Sequence, residues 1–210
     1  MNIRNLAVAA IFGASALALG EEKGSVYRFG TDAKHTNISF VSEADIENIY
    51  GMTHTASGRT WIDFDALEGK CNVVVPVKDL DTGIALRNEH LRGDAWLDAE
   101  KHPDITLVSD RFDLTEKNKD KGIYEAKFKG KLTIHGVSRD LETKVKVVRL
   151  SKEQSGKIGD GDWVRVTAGF DVTLKDFDVT IPEGPVGGKV SPTWTVKFDC
   201  YATTAEPAAK

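Results

Sequence analysis

Five histidines, one basic cluster and two cysteines are the side chains of this 210-residue sequence best equipped for chemistry. The histidines are His35, His54, His90, His102 and His135. None belongs to a His-x-x-x-His pair or accompanies a Cys-x-x-Cys, so their spacing marks no metal site. His35 stands just before Ile38 and Phe40. It can hydrogen-bond a ligand head group near the end of a strand, or a neighbouring loop carbonyl. Arg87, His90 and Arg92 form the basic cluster. Arginine suits bidentate recognition of phosphate, so the cluster can face a pyrophosphate or a quinone oxygen. It can also brace its own segment through Asp81, Asp94 or Asp98, and this acidic company favours the brace. Gly159-Asp160-Gly161-Asp162 lacks the later ligands of a calcium loop and reads as a turn. No Ser-His-Asp elbow and no paired carboxylates are visible, so catalysis is not expected.

Cys71 and Cys200 permit one disulfide in an oxidising compartment. Packing as two buried free thiols is the alternative. Each lies on the apolar side of its segment, Cys71 with Val73 and Val75, Cys200 with Val196 and Phe198. Both should point inward, and they can bridge only if their Cα atoms come within about 7 Å.

The elements that must position these groups follow a period of two. From Gly122 to His135, Tyr124, Ala126, Phe128, Leu132 and Ile134 alternate with Glu125, Lys127, Lys129 and Lys131. Trp163 to Leu174 and Thr193 to Cys200 repeat the pattern. Ile38–Ile46, Thr55–Phe64, Cys71–Val77, Ile105–Leu114 and Leu141–Leu150 bring the expectation to about eight strands. Gly-containing turns between most of them predict antiparallel neighbours. The exception is one helical excursion at about 83–100, capped by Asp81 or Thr82 and ended by Pro103. The fold class is therefore all-β: an antiparallel eight-stranded barrel with the excursion as lid or plug. The inner face is Val, Ile, Phe and Trp, so an occupant must be mainly apolar. Mid-strand lysines on the other face argue against a transmembrane barrel.

Composition excludes further classes. A formal charge of -4 is the wrong sign for nucleic acid. Leu6 to Leu19 runs without charge after Arg4, and Ala18 and Gly20 precede Glu21. This three-part pattern predicts a cleaved signal peptide over residues 1–20 and release into the periplasm. The apolar run is short of the roughly 20 residues that span a bilayer. Residues 21–202 then form the barrel domain, and 203–210 a polar, frayed tail.

Several segments resemble the YceI-like family. They are His35-Thr36-Asn37-Ile38-Ser39-Phe40, Pro76 to Thr82 with Arg87 to Arg92, Trp96-Leu97-Asp98, His102-Pro103, and Gly130 to Arg139. The resemblance covers nearly all of residues 21–202, in order. It departs at Asn88, where the family more often has Asp, at Ala95-Trp96, which replaces a usual Phe pair, and in the polar stretch Ser42 to Thr60. It implies a lipocalin-like barrel with an internal tunnel that sequesters or carries a long isoprenoid lipid, a quinone or its precursor, and needs no cofactor besides that ligand. An aromatic stripe alone would more simply fill a solid core; the resemblance turns it into tunnel lining. The lining is then Ile38, Phe40, Trp61, Phe64, Val75, Leu91, Trp96, Phe128, Leu132, Phe170, Trp194, Val196 and Phe198, with His35 and Arg87 toward polar groups. A long-chain apolar molecule is the expected partner, with transient contact to a membrane or a membrane redox protein, and the chain acts as monomer or homodimer. An enzyme acting on such a lipid is the second reading.

Overall fold

The computed structural model describes residues 23–30, 35–181 and 188–206. The expected leader, residues 1–20, lies outside the described residues. Ten strands form in chain order: β1 Ser25–Phe29, β2 Thr36–Glu43, β3 Asn48–Thr53, β4 Ser57–Asp63, β5 Glu68–Pro76, β6 Asp104–Asn118, β7 Ile123–Ile134, β8 Val137–Arg149, β9 Trp163–Thr173 and β10 Thr193–Thr203. Helix α1, Ala85–Arg92, interrupts them after β5, and a short α2, Lys152–Gly156, precedes β9.

Eight strands close a ring in the order β1-β4-β5-β6-β7-β8-β9-β10, all antiparallel, with β1 returning to β10. That closing seam is short, pairing Arg28 with Thr203 and Phe29 with Ala202. Along Trp194–Cys200 the same edge of β10 is taken by β2 instead, which carries β3 beyond it. An isolated bridge from Met52 to Asp81 ties β3 to the segment after β5. The ring is thus sealed by β1 at one end and by β2 and β3 at the other. Closure leaves few unpaired edges. The two strands beyond the expected eight are β1 and β3.

Alternation places the core as the sequence pattern requires. On β7, Tyr124, Ala126, Phe128, Leu132 and Ile134 are buried, while Lys127, Lys129 and Lys131 are exposed. Two apolar clusters stack along the barrel axis. One surrounds the β1–β10 seam and includes Tyr27, Ile62, Tyr124, Val147 and Val164. The other lies under α1 and includes Phe40, Leu80, Leu91, Leu97, Leu132 and Trp194.

Three expectations need correction. The excursion is helical only over Ala85–Arg92, and neither Asp81 nor Thr82 caps it. Asp81 instead accepts from Gly83 N–H and the Asn88 side-chain amide, and Asn88 Oδ1 accepts from the Thr82 backbone N–H. The chain after Arg92 closes into turns through bonds such as Asp98 N–H to Gly93 O. The tail is not frayed from 203: Thr203 ends β10, its hydroxyl donates to Asp160 O, and Glu206 pairs with Arg28. The expected disulfide is absent, since both cysteines are free. Both do point inward. They sit on β5 and β10, however, which are three strand steps apart around the ring. At about 4.8 Å per step that separation is roughly 12 Å or more across the barrel, too far to bridge.

Candidate functional site

Three cavities follow one another from the middle of the barrel to α1. The first has a volume of about 60 Å³ and lies among Phe29, Ile62, Cys71, Ala126, Phe128 and Val145. The second, about 100 Å³, is lined by Ile38, Phe40, Val75, Leu132, Val196 and their neighbours. Phe170 and Phe198 stand between these two and line both. The third, about 420 Å³, opens at α1. Phe40 and Trp194 stand between the second and third and line both.

The inner walls are apolar because every strand turns its Val, Ile, Leu or Phe inward. Of the described residues lining the second cavity, only Ser39 and Trp194 carry a polar side-chain atom. The Trp194 ring stacks on Phe40, with centroids 4.7 Å apart and planes 10° from parallel. Gly51 on β3 faces Phe40 across the ladder, and a Cβ there would meet the Phe40 ring at 2.2 Å. Glycine at 51 is what lets this ring lie against the sheet. Trp194 is 8% exposed, and its Nε1 has no hydrogen-bond partner among the described residues. A buried unpartnered donor costs about 1–3 kcal/mol, so this N–H is poised for an acceptor.

The mouth is amphipathic. Leu91, the buried residue of α1, and Trp96 supply its apolar floor, with Ile49, Ile84 and Leu86 around them. Arg87, Lys189 and Glu47 supply its charge, with the His90 imidazole beside them. Arg87 Nη1 donates to Glu47 Oε1 at 2.7 Å and its Nε to Thr82 Oγ1 at 3.3 Å. The cluster therefore braces α1, but through Glu47 on the β2–β3 turn rather than Asp81, Asp94 or Asp98. Arg92 contributes by donating to Leu80 O at 2.7 Å.

Eight of the expected lining residues gather on the second cavity: Ile38, Phe40, Val75, Leu132, Phe170, Trp194, Val196 and Phe198. Phe128 lines the first cavity, while Leu91, Trp96 and Arg87 line the mouth. Three do not belong. Trp61 is on the outer face of β4 under Lys70 Nζ, because Thr60 and Ile62 take the inner places. Phe64 follows β4 and packs against Tyr27 and Tyr124 in the plug at the seam end. His35 packs on Tyr201, whose neighbours Cys200 and Ala202 point inward, so it faces away from the cavities. The sequence reading missed Leu80, Leu97, Leu107 and Leu174 of the second cavity and Ile49, Lys189 and Val190 of the mouth. Leu107 and Leu174 were legible from alternation. The others sit in loops or on β3, where period two gives no guide.

Burial raises both thiols. Cys71 is pushed up to about 12 by desolvation, against a hydrogen bond with the Ser109 backbone. Cys200 is likewise pushed up to about 12 by desolvation. Neither is a nucleophile at neutral pH.

A family model for the YceI-like domain matches residues 29–202. The chain belongs to the YceI-like family. A UPF0312 protein of Pectobacterium carotovorum subsp. carotovorum is 29% identical over 177 residues, covering 81% of this chain and 84% of the relative. One from Yersinia pseudotuberculosis serotype O:1b is 30% identical over 184 residues, covering 85% and 88%. Among solved structures, Burkholderia cenocepacia BcnA superposes with a TM-score of 0.64 at 22% identity, covering 82% of this chain and 99% of that one. A polyisoprenoid-binding domain from Saccharophagus degradans gives 0.60 at 18%, covering 86% and 98%. These likenesses show that the chain has the YceI-like barrel fold.

Proposed function

We propose that this protein binds one long isoprenoid chain in its barrel, tail inward and head at α1, and carries it through the periplasm. The carrying observation is the row of three cavities, apolar within and charged only at the mouth. The printed description of the Saccharophagus degradans domain supports an isoprenoid as the chain. The leader-like residues 1–20 support export. Each buried methylene contributes about 0.8 kcal/mol, so solvent exclusion alone gives tight binding. No catalytic step is part of this reading.

The inner cavities are smaller than the roughly 150 Å³ that hosts one benzene in a protein core. A long chain therefore enters only as Phe170 and Phe198 swing aside and join them. Trp194 Nε1–H offers a hydrogen-bond donor to the head or the first polar atom of the chain at the throat.

Delivery at a membrane surface fits the same end. The large hydrophobic side chains exposed among the described residues are Ile46, Tyr50, Met52, Ile84 and Leu86. Ile84 and Leu86 line the mouth, Ile46 is in the β2–β3 turn, and Tyr50 and Met52 lie on the outer face of β3, opposite Ile49. Such clustering is uncommon on a surface with no binding partner.

The test is a ladder of prenyl alcohols of 10, 15 and 20 carbons titrated into delipidated protein. Affinity should climb steeply with length and plateau once the barrel is full. Equal, weak affinity at every length would remove the proposal.

A further inference from the structure

A second group of side chains lies outside the cavities and plays no part in the lipid site. Asp98 and His102 belong to the turns after α1, and His135 to the β7–β8 turn. Their potential ligand atoms all lie within 4.8 Å of one another. We propose that Asp98, His102 and His135 bind one divalent transition-metal ion, of the zinc class.

The donor set is right for that class. Two imidazoles and one carboxylate suit zinc and its first-row neighbours, whereas calcium and magnesium call for oxygen ligands throughout. An ion bonded at about 2.1 Å holds tetrahedral ligand atoms about 3.4 Å apart, so modest side-chain rotations close the present arrangement. Asp98 is buried, and its carboxyl is held below the usual range chiefly by a hydrogen bond from Lys101. That bond uses Oδ2 at 2.7 Å and the Lys101 backbone N–H bonds the same carboxyl, whose roughly four acceptor sites still leave room for the ion.

His135 is prepared in the manner of a metal ligand. Its Nδ1 lies 3.2 Å from the Phe177 carbonyl. A carbonyl only accepts, so Nδ1 carries the proton and Nε2 presents its lone pair; metal-bound histidines are fixed in this way. The backbone reinforces the point. His135 and Gly136 form a two-residue hairpin with φ of 52° and 74°. Asparagine or glycine takes the first place of such a turn at lower cost. Here an imidazole occupies it and meets the His102 ring edge-on, with centroids 4.8 Å apart. Gly136 is needed beneath, since a Cβ there would come within 2.6 Å of the His102 ring.

The position gives the ion a role. Leu97, beside Asp98, and Ile134, beside His135, both line the second cavity. Leu174, on the one-turn helix that ends at Phe177, lines it too. An ion would fasten these three pieces into one roof over the lipid chain.

The experiment uses untagged full chain stripped with EDTA and titrated with Zn²⁺ by calorimetry, then with Co²⁺ by absorption and proton NMR. One ion should bind per chain, and Co²⁺ should shift the ring protons of His102 and His135 in the wild type. His135→Asn keeps a residue that accepts positive φ, and His102→Gln keeps a polar side chain. Each should weaken binding at least about tenfold while leaving the metal-free melting curve close to that of wild type. Two results overturn the proposal: no saturable one-to-one binding up to millimolar Zn²⁺, or binding that leaves both ring signals and both variants unaffected. In either case the cluster is only a brace.

Discussion

At the β1–β10 end, Tyr27, Ile62, Val147 and Val164 are exposed by 2% or less, whereas the inward-facing Val166, Ala168, Phe170 and Val196 nearer α1 are only half-buried. Both regions carry the same alternation of apolar and polar residues. The difference lies in what fills the ring. At the seam end large rings meet inside the barrel: Phe64 packs on Tyr27 and Tyr124. Toward α1 the inward residues are mostly aliphatic and their tips do not meet. One end is a plug and the other a container, and stability and binding should separate along that line.

The largest expected effect tests the plug. Tyr27→Ala should cost about 3–5 kcal/mol in denaturant unfolding, because a close-packed site cannot collapse around the lost ring. Lipid binding by the folded fraction should stay as it was. A loss of binding without a loss of stability would reverse the two roles.

Overpacking probes the boundary. Ala126 is 1% exposed beside the smallest cavity, so Ala126→Trp should cost about 1–3 kcal/mol. Val196→Trp projects into the second cavity and should cost less while blocking the chain. Melting curves and lipid titrations of both variants decide, and equal destabilisation would mean that no container exists.

The barrel itself was legible in the sequence because burial on one face forces period two, and five long strands keep it without a break. β1 and β3 were not legible: one is five residues long, and the inward face of the other, Ile49, Gly51 and Thr53, carries only one large apolar side chain. The Ser151-x-x-Gln154 capping box announced α2 and was passed over. Most tunnel residues could be read off the strands. Trp61 could not, since Trp61 and Ile62 offer opposite registers and only the pairing with β5 chooses between them. Spacing along the chain does not reveal the Asp98–His102–His135 group, because two separate turns assemble it. The fate of Cys71 and Cys200 depended on strand order, which alternation does not encode.

Alkaline titration sharpens the comparison from within the core. An unfolded cysteine titrates near 8.5, and burial holds both thiols up to about 12. The folded state keeps its protons longer, so this contribution is complete below about pH 8.5 and is lost as pH rises toward 12. Urea midpoints should fall across that window, and less steeply in Cys71→Val. Iodoacetamide at pH 8 should leave both thiols unlabelled in the native protein and label two after unfolding; non-reducing peptide maps showing a linked pair would contradict the strand order.

The smallest effect belongs to the mouth. Arg87 and Glu47 are both partly solvated, so Arg87→Ala should cost at most about 1 kcal/mol. Hydrogen exchange should accelerate in α1 and stay unchanged at the seam end.

Lipid extraction and mass analysis of the protein purified from its own cells tests the container most directly. Wild type should yield about one long apolar chain per protein, and Val196→Trp should yield almost none while melting close to wild type. No lipid in wild type, together with a Val196→Trp variant destabilised as strongly as Ala126→Trp, would contradict the account and leave a solid barrel.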